Sequence, residues 1–217
     1  MKVYAHRGFS ANYPEATLVA YQGAVDAGAD GFECDIRLSK EGVPVCFHDR
    51  TTLGIAGKFR FVRRTSLAEL RDLVSVITLE ELVELAKKHR KDLLIESKHP
   101  VFAGGKVESA VLEKVSGIKD IRITLMSFSL LAVKRFQRQH QDVAYVIARR
   151  WRMLFIPTKT VAVDVELFAK SKWVRRSLAE KEVFLWTVNE KKYLEKLADW
   201  KVAAVITDKP DLPFRLR

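Results

Sequence analysis

The sequence predicts an α/β fold of the TIM, or (β/α)8, barrel class, small for its kind and with a short hairpin appendage after the second strand. Short apolar segments alternate with amphipathic ones along all 217 residues, and no linker interrupts them. Most apolar segments are continuous rather than alternating, which is typical of parallel strands covered on both faces. Because eight such strands remain once the second arm of the hairpin is set aside, we expect residues 1–217 to form a single barrel domain.

The predicted elements follow one another from the amino terminus. The first strand, Val3–Ala5, ends at His6-Arg7-Gly8, and the first helix, Thr17–Ala27, ends at Gly28, a residue type that favours helix ends. Further strands are predicted at Gly31–Leu38, Val43–His48, Leu93–Lys98, Ile121–Phe128, Val143–Ala148, Thr160–Val165, Val183–Val188 and Ala203–Thr207. Further helices are predicted at Thr78–His89, Lys106–Val115, Leu130–His140, Phe168–Lys181 and Glu190–Trp200.

The connection between the second and third strands differs from the others. Only Ser39-Lys40-Glu41-Gly42 separates them, which suits a hairpin turn and is too short for a crossover helix. An open, doubly wound sheet is the alternative architecture, but the chain contains no Gly-rich phosphate-binding loop of the Rossmann or P-loop type. The barrel is therefore the preferred prediction.

Composition and charge restrict the class of protein. Hydrophobic residues make up 48% of the chain and charged residues 30%, which excludes a disordered or fibrous chain. The apolar segments are far shorter than the ~18 residues of a membrane span, and the first residues lack the apolar region of a signal peptide. We therefore expect a cytoplasmic protein whose two cysteines, Cys34 and Cys46, stay unpaired.

Acidic side chains collect at the carboxyl ends of the predicted strands, the face on which barrel active sites lie. Glu33 and Asp35 are two residues apart on one strand and share a face, and Glu96 lies near the end of the next parallel strand. Three adjacent carboxylates need a strong counter-charge, which one divalent cation with oxygen preference, Mg²⁺ or Ca²⁺, would supply. The alternative is a structural ion network with Arg7, Arg37 or Lys98.

Two histidines end strands beside the same acidic cluster. His6 and His48 suit a general acid and a general base, because imidazole titrates near neutrality. The alternatives are hydrogen-bonded core histidines or metal ligands, which would point to zinc, although the lack of a Cys or His pair at zinc-finger spacing weakens the zinc alternative. Arg7 and Lys98 offer positive charge for phosphate oxygens, provided that Gly8 lets the chain turn so that His6 and Arg7 reach one pocket. Asn189 and Asp208 follow the last two strands.

These residues together resemble the glycerophosphodiester phosphodiesterase family. The resemblance runs from residue 3 to residue 210 and is densest in the first fifty residues. It is carried by His6-Arg7-Gly8, Tyr13-Pro14-Glu15-Ala16-Thr17, Gly28-Ala29-Asp30-Gly31-Phe32-Glu33-Cys34-Asp35, His48-Asp49, Leu93-Leu94-Ile95-Glu96-Ser97-Lys98, Trp186-Thr187-Val188-Asn189 and Val205-Ile206-Thr207-Asp208-Lys209-Pro210. Two departures are Ala16, where the family usually has Asn, and a short basic segment from Arg50 to Ser66, which suggests an open, less selective pocket.

The resemblance implies a TIM barrel that hydrolyses glycerophosphodiesters to an alcohol and sn-glycerol 3-phosphate. It implies that the acidic cluster binds one divalent cation, that the two histidines are the acid–base pair and that Arg7 and Lys98 bind phosphate. Pocket residues carried over in the same way are Glu15, Phe128 and Trp186, although the two aromatic residues taken alone suit a core position.

Other functions remain open at this stage. A net charge of +11 favours anionic partners, against the plain alternative of a basic, well-solvated surface. The same site would suit lysophospholipase D-type cleavage of lysophospholipid head groups, with peripheral contact to an anionic membrane through the basic clusters Arg60–Arg64, Lys87–Lys91, Arg149–Arg152 and Lys170–Arg176. A nucleic-acid-binding protein is disfavoured because no recognition helix, zinc finger or stacking platform is present in the sequence, and an inactive barrel used for binding is disfavoured because every expected catalytic residue is present.

Overall fold

The computed structural model describes residues 1–99 and 104–212, which form a closed parallel β-barrel with helices between the strands. The strands are β1 (Lys2–His6), β2 (Gly31–Leu38), β3 (Pro44–Cys46), β4 (Asp92–Ser97), β5 (Ile123–Ser127), β6 (Val143–Ile147), β7 (Thr160–Asp164), β8 (Glu182–Trp186) and β9 (Ala204–Thr207). All but β3 are parallel, and β1 pairs with both β2 and β9, which closes the ring. The predicted barrel is confirmed.

The third strand is the predicted hairpin appendage. Among the strands of the described residues it pairs only with β2, antiparallel, with Leu38 opposite Pro44 and Ile36 opposite Cys46, so it lies outside the parallel ring. On its other side Val45 forms a single antiparallel bridge with Thr78. The strand is shorter than the predicted Val43–His48, because the chain leaves the ladder after Cys46 and turns toward the barrel. The Phe47 amide still donates to the Asp35 carbonyl at 2.8 Å, and this bond brings His48 to the barrel mouth.

Alternate residues of each strand point to opposite sides of the barrel wall. One set packs outward against the helices, as do Phe32, Leu93 and Val205. The other set fills the barrel interior with Tyr4, Leu94, Met126, Ala144, Val146, Ala162, Phe184, Ala204 and Ile206. The interior is therefore a packed core whose upper layer forms the floor and wall of a cavity.

The helices are α1 (Leu18–Asp26), α2 (Leu53–Ala56), α3 (Leu67–Val74), α4 (Leu79–His89), α5 (Lys106–Val115), α6 (Leu130–Gln137), α7 (Val165–Lys170), α8 (Lys172–Ser177) and α9 (Lys191–Trp200). Short 3-10 turns occur at Val62–Arg64 and Arg150–Leu154. Between β6 and β7, where every residue is described, the 3-10 turn is the only helical element. The connection there is a loop rather than the usual crossover helix.

Two helix predictions differ from the structure. The single helix predicted over Phe168–Lys181 is wrong: two short helices, α7 and α8, meet at Ser171, which is extended (φ −122°) and accepts a hydrogen bond from the Val174 amide. The sequence analysis also missed α2 and α3. Helix α3 begins with a capping box in which Ser66 and Glu69 bond each other's backbone amides, a pattern that satisfies the free amides of a helix start.

Cys34 and Cys46 are free and buried, as expected. No helix within the described ranges 1–99 and 104–212 has the length and apolar character that a bilayer crossing requires.

Candidate active site

A cavity of about 200 Å³ opens at the carboxyl ends of the parallel strands. Every predicted site residue except Glu15 lines it, and Glu15 lines the space beside it. The lining residues are His6, Arg7, Glu33, Asp35, His48, Glu96, Lys98, Met126, Phe128, Val146, Ala162, Trp186 and Ile206. One side of the cavity, around β1, β2 and β4, is charged, and the other, around β5 to β9, is mostly apolar.

Strand geometry brings the three carboxylates together. Glu33 and Asp35 are two residues apart on β2 and therefore face the same way, and the β2–β4 register places Asp35 level with Glu96. One oxygen from each residue lies within 4.8 Å of an oxygen from each of the others. All three side chains are buried.

The donor set of this cluster fits a divalent cation. Glu33 Oε2 is buried without a hydrogen-bond partner among the described residues, and His6 Nε2 lies 3.9 Å from it, beyond hydrogen-bond distance. Carboxylate oxygens are the ligands that Mg²⁺ and Ca²⁺ prefer. Within the described part of the chain, the group of possible metal ligands contains no histidine, which weighs against a zinc site.

The electrostatics of the cluster point the same way. Burial, followed by the negative charge of Asp35, raises the pKa of Glu33 to about 8 and the pKa of Glu96 to about 7. Burial acts on Asp35 as well, but the positive charges of Lys98 and Arg7 outweigh it and hold the pKa of that carboxyl below its usual range. A bound cation would remove the repulsion and favour ionisation of all three groups.

His6 is oriented by Asp208, a residue to which the sequence analysis assigned no role. The His6 Nδ1 and Asp208 Oδ1 atoms are 2.6 Å apart, so Nε2 is left facing the acidic cluster. Burial lowers the pKa of His6, but the hydrogen bond to Asp208 and the charge of Glu33 outweigh burial and raise the pKa above its usual value.

Asp208 is itself held by three further hydrogen bonds, which involve Ser10 and Asn189. It accepts hydrogen bonds from Ser10 Oγ at 2.9 Å and Asn189 Nδ2 at 2.5 Å, while the Asn189 carbonyl accepts from the Asp208 amide. Burial opposes ionisation, but the hydrogen bond and charge of His6, together with the hydrogen bonds from Asn189 and Ser10, outweigh burial and lower the pKa of Asp208 to about 2. The signal available in the sequence was the position of Asn189 and Asp208 directly after the last two strands.

His48 is more exposed than His6 and has a different environment. Its Nδ1 atom lies 2.8 Å from Asp49 Oδ1, and its backbone carbonyl accepts a hydrogen bond from Arg37 Nε. Burial, together with the positive charges of Lys98 and Arg7, outweighs the acidic neighbours and lowers the pKa of His48. Arg37 thus supports the His48 backbone rather than joining an ion network with the carboxylates.

The turn at Arg7 and Gly8 explains how two adjacent residues reach one cavity. Arg7 has a left-handed backbone (φ 56°), so the strand ends there and its side chain folds back, with Nε 2.8 Å from Asp35 Oδ2. Gly8 also has a positive φ of 83°, and a Cβ atom there would lie 2.6 Å from the Ala20 backbone. Glu15 accepts a hydrogen bond from Arg7 Nη1 at 2.9 Å, so it supports the pocket through Arg7.

Lys98 joins the two sides of the cavity. Its Nζ atom lies 3.1 Å from Asp35 Oδ1 and 2.9 Å from Glu96 Oε1, and 5.9 Å from the centre of the Phe128 ring. Phe128 and Trp186 pack edge to face, with ring centres 5.7 Å apart, against the barrel interior. The two aromatic residues thus pack on the barrel core and also line the cavity. A core position and a place in the pocket wall, the two alternatives from the sequence, both apply to them.

The comparisons with known proteins agree with one another. The model of the glycerophosphoryl diester phosphodiesterase family matches residues 6–212. A probable glycerophosphodiester phosphodiesterase 1 of Mycobacterium tuberculosis is 32% identical, with 96% of this chain and 89% of that protein aligned. A glycerophosphodiester phosphodiesterase of Bacillus altitudinis is 28% identical over 100% of this chain and 98% of its own length.

Solved structures show the same likeness. A glycerophosphodiester phosphodiesterase from Thermotoga maritima superposes with a TM-score of 0.86 at 28% identity, covering 100% of this chain and 98% of that one. A phosphodiesterase of Oleispira antarctica, in complex with the product sn-glycerol-3-phosphate, superposes with a TM-score of 0.83 at 24% identity, covering 97% and 94%. The barrel, the match of the family model and the relatives lead to one conclusion: the chain belongs to the glycerophosphoryl diester phosphodiesterase family and is a phosphoric diester hydrolase.

Proposed function

We propose that this protein catalyses the metal-dependent hydrolysis of glycerophosphodiesters to an alcohol and sn-glycerol 3-phosphate, with His6 and His48 as the acid–base pair. One observation carries the proposal: three buried carboxylates, two histidines and two basic side chains line one cavity. The complex of the Oleispira antarctica relative with sn-glycerol-3-phosphate supports this product.

Glu33, Asp35 and Glu96 would hold one divalent cation, Mg²⁺ or Ca²⁺. When bound, that cation would supply Lewis-acid stabilisation of nonbridging phosphate oxygens. Arg7 and Lys98, which already contact Asp35, extend the positive charge of the cavity toward the same oxygens. Their role is to stabilise the charge that develops on phosphate in the transition state.

The two histidines handle the protons. One accepts a proton from the attacking oxygen, which forms the new P–O bond, and the other donates a proton to the alkoxide that leaves as the old P–O bond breaks. The attacking oxygen belongs either to water or to the glycerol 2-hydroxyl, which would give a cyclic phosphate first. Asp208 fixes the ring of His6 with Nε2 toward the site, the part that a carboxylate plays for a catalytic histidine.

A second candidate substrate class is the lysophospholipids, cleaved in the manner of a lysophospholipase D. The observation that favours it is the apolar side of the cavity, formed by Met126, Phe128, Val146, Ala162, Trp186 and Ile206. An apolar wall suits a substrate with an acyl chain better than it suits free glycerol.

The test is to measure glycerol 3-phosphate released from glycerophosphoethanolamine and glycerophosphocholine with Mg²⁺, with Ca²⁺ and with EDTA. We expect release that depends on the metal and stops in EDTA. A parallel assay with lysophosphatidylethanolamine, read as ethanolamine release, decides between the two substrate classes. Folded protein that releases no product from any of these substrates with either metal would contradict the proposal.

A further inference from the structure

Two exposed loops beside the cavity carry half of the twelve exposed large hydrophobic side chains among the described residues. The first, which we call the lobe loop, spans residues 50–64 and exposes Leu53, Ile55 and Phe59 by 51, 44 and 53%. The second, the β6 loop, spans residues 148–158 and exposes Trp151, Leu154 and Phe155 by 60, 85 and 55%. Large apolar side chains clustered at a surface mark an interaction site more often than isolated ones do.

Both loops are attached to the rim of the cavity. The lobe loop begins two residues after the cavity residue His48. The β6 loop reaches the cavity through Arg152, which donates to the Phe128 carbonyl at 2.5 Å and stacks on the Phe128 ring at 5.5 Å. Because β2 and β6 are three strands apart around the barrel, the two loops approach the mouth from different sides.

Both loops carry only positive charges. The lobe loop contains Arg50, Lys58, Arg60, Arg63 and Arg64, the β6 loop contains Arg149, Arg150 and Arg152, and neither contains Asp or Glu. All of these except Arg152 are exposed. Exposed apolar side chains interleaved with Arg and Lys are what an interfacial membrane-binding surface requires.

We propose that the lobe loop and the β6 loop seat the mouth of the barrel on the surface of an anionic lipid bilayer. The apolar tips would enter the boundary between head groups and acyl chains, and the basic residues would remain among the lipid phosphates. The docking itself does not depend on the reaction. It rests on the proposed function only in that it would present the cavity to substrates held in the membrane.

Two other occupants fit the surface less well. A second copy of this chain would bring two sets of like charges together across the interface, which opposes association. A single-stranded nucleic acid would be held by stacking of its bases on aromatic rings, but only half of the six tips are aromatic, and Leu53, Ile55 and Leu154 offer no ring for a base to stack on. Branched aliphatic tips suit the acyl boundary of a bilayer.

The test is cosedimentation of the full chain with vesicles of equal parts phosphatidylglycerol and phosphatidylcholine, and with vesicles of phosphatidylcholine alone. We expect binding to the anionic vesicles only. The variants Leu53→Ser/Phe59→Ser and Leu154→Ser/Phe155→Ser should each lower the vesicle partition coefficient at least about tenfold, since each removes two inserted side chains.

A matched pair of charge variants isolates the basic residues. Arg149→Gln/Arg150→Gln should weaken binding about tenfold, whereas Lys119→Gln/Arg138→Gln, which removes two exposed charges before β5 and β6 at the other end of the barrel, should leave it unchanged. Turnover of soluble glycerophosphoethanolamine should stay unchanged in all four variants. That assay separates failure of docking from failure of the proposed function.

Three outcomes would overturn the proposal. The first is wild-type protein that does not sediment with anionic vesicles. The second is loop variants that bind as tightly as the wild type, or a control pair that loses binding equally, because the interaction would then be unspecific charge attraction. The third is that the loop variants lose a different interaction and keep vesicle binding. That interaction would be either a dimer of the wild type seen in light scattering or binding of an oligonucleotide by the wild type.

Discussion

At the scale of single residues, the proposed chemistry depends on how the two histidines are held. His6 is fixed by the carboxylate of Asp208, while His48 lies at the end of a hairpin and its ring hydrogen-bonds to the adjacent Asp49. The sequence singled out both histidines, but it assigned no partner to either. Asp208 is 202 residues away from His6 along the chain, so their contact depends on closure of the barrel.

Removal of either imidazole should abolish most of the proton transfer. We expect His6→Ala and His48→Ala each to reduce kcat by about 10²-fold or more, since general acid–base catalysis contributes factors of that size. The assay is steady-state turnover of glycerophosphoethanolamine, with circular dichroism to show that the variants fold. His140→Gln, at the other end of the barrel, is the control and should keep wild-type turnover. Near-normal kcat in either alanine variant would exclude that histidine from the chemistry.

In the proposed mechanism Asp208 acts through His6, so its replacement should affect the rate rather than substrate affinity. Asp208→Asn should lower kcat at least about tenfold and leave KM within about twofold, because the amide no longer fixes the charge and orientation of the ring. Ser10→Ala removes a different hydrogen bond to the same carboxylate and should change kcat by less than about threefold. A rise in KM with an unchanged kcat in Asp208→Asn would show that Asp208 shapes binding instead.

At the scale of elements, the sequence predicted the parallel strands well and the connections between them less well. Continuous apolar runs identify buried strands, and strand periodicity predicted that Glu33 and Asp35 share a face. The connections depend on local caps that apolar periodicity does not reveal. The capping box of Ser66 and Glu69, which starts α3, was visible in the sequence but follows a basic segment without apolar periodicity. The break at Ser171 depends on a single side-chain cap.

The amino-terminal ends of three strands are joined by one arginine. Arg122, just before β5, forms ion pairs with Asp142 before β6 and with Glu182 in β8, and its guanidinium lies 5.6 Å from the centre of the Phe184 ring. The hydrogen bond from Arg122 lowers the pKa of Glu182. The folded-state pKa of Glu182 is therefore below its unfolded-state value of ~4.3. The stabilisation that the Arg122–Glu182 ion pair gives the folded state is present above pH ~4.3 and is lost as pH falls through the lower folded-state pKa.

Arg122→Met should therefore reduce the free energy of unfolding at pH 7 by about 1–2 kcal/mol, a value discounted for the partial exposure of these groups. The difference from wild type should shrink as pH is lowered below ~4. Urea unfolding at pH 7, 5 and 3 measures both quantities. A difference that stayed constant over this range would mean that Arg122 stabilises the barrel by packing on Phe184 rather than by its ion pairs.

At the scale of the whole molecule, the barrel brings residues from distant parts of the sequence together at one cavity. The fold class, the acidic cluster and the two basic residues could be predicted because the polar residues end neighbouring strands of the same barrel. Three features could not be predicted from the sequence, because they depend on closure of the barrel and on loop geometry. They are the hydrogen bond to Asp208 that supports His6, the left-handed turn at Arg7 and the absence of a crossover helix between β6 and β7. The extent of the single domain over residues 1–217 stays a prediction.

The most direct test of the central claim is to titrate chelator-treated protein with Ca²⁺ or Mg²⁺ in a calorimeter and to measure glycerophosphodiester turnover at the same metal concentrations. We predict one cation bound per chain, turnover that rises in proportion to occupancy, and at least about tenfold weaker metal binding in Glu96→Gln. Lys88→Gln, on the surface of α4, serves as the matched control and should bind and turn over like the wild type. Full turnover by metal-free protein, or unchanged metal binding and turnover in Glu96→Gln, would contradict the assignment of the acidic cluster as the metal site.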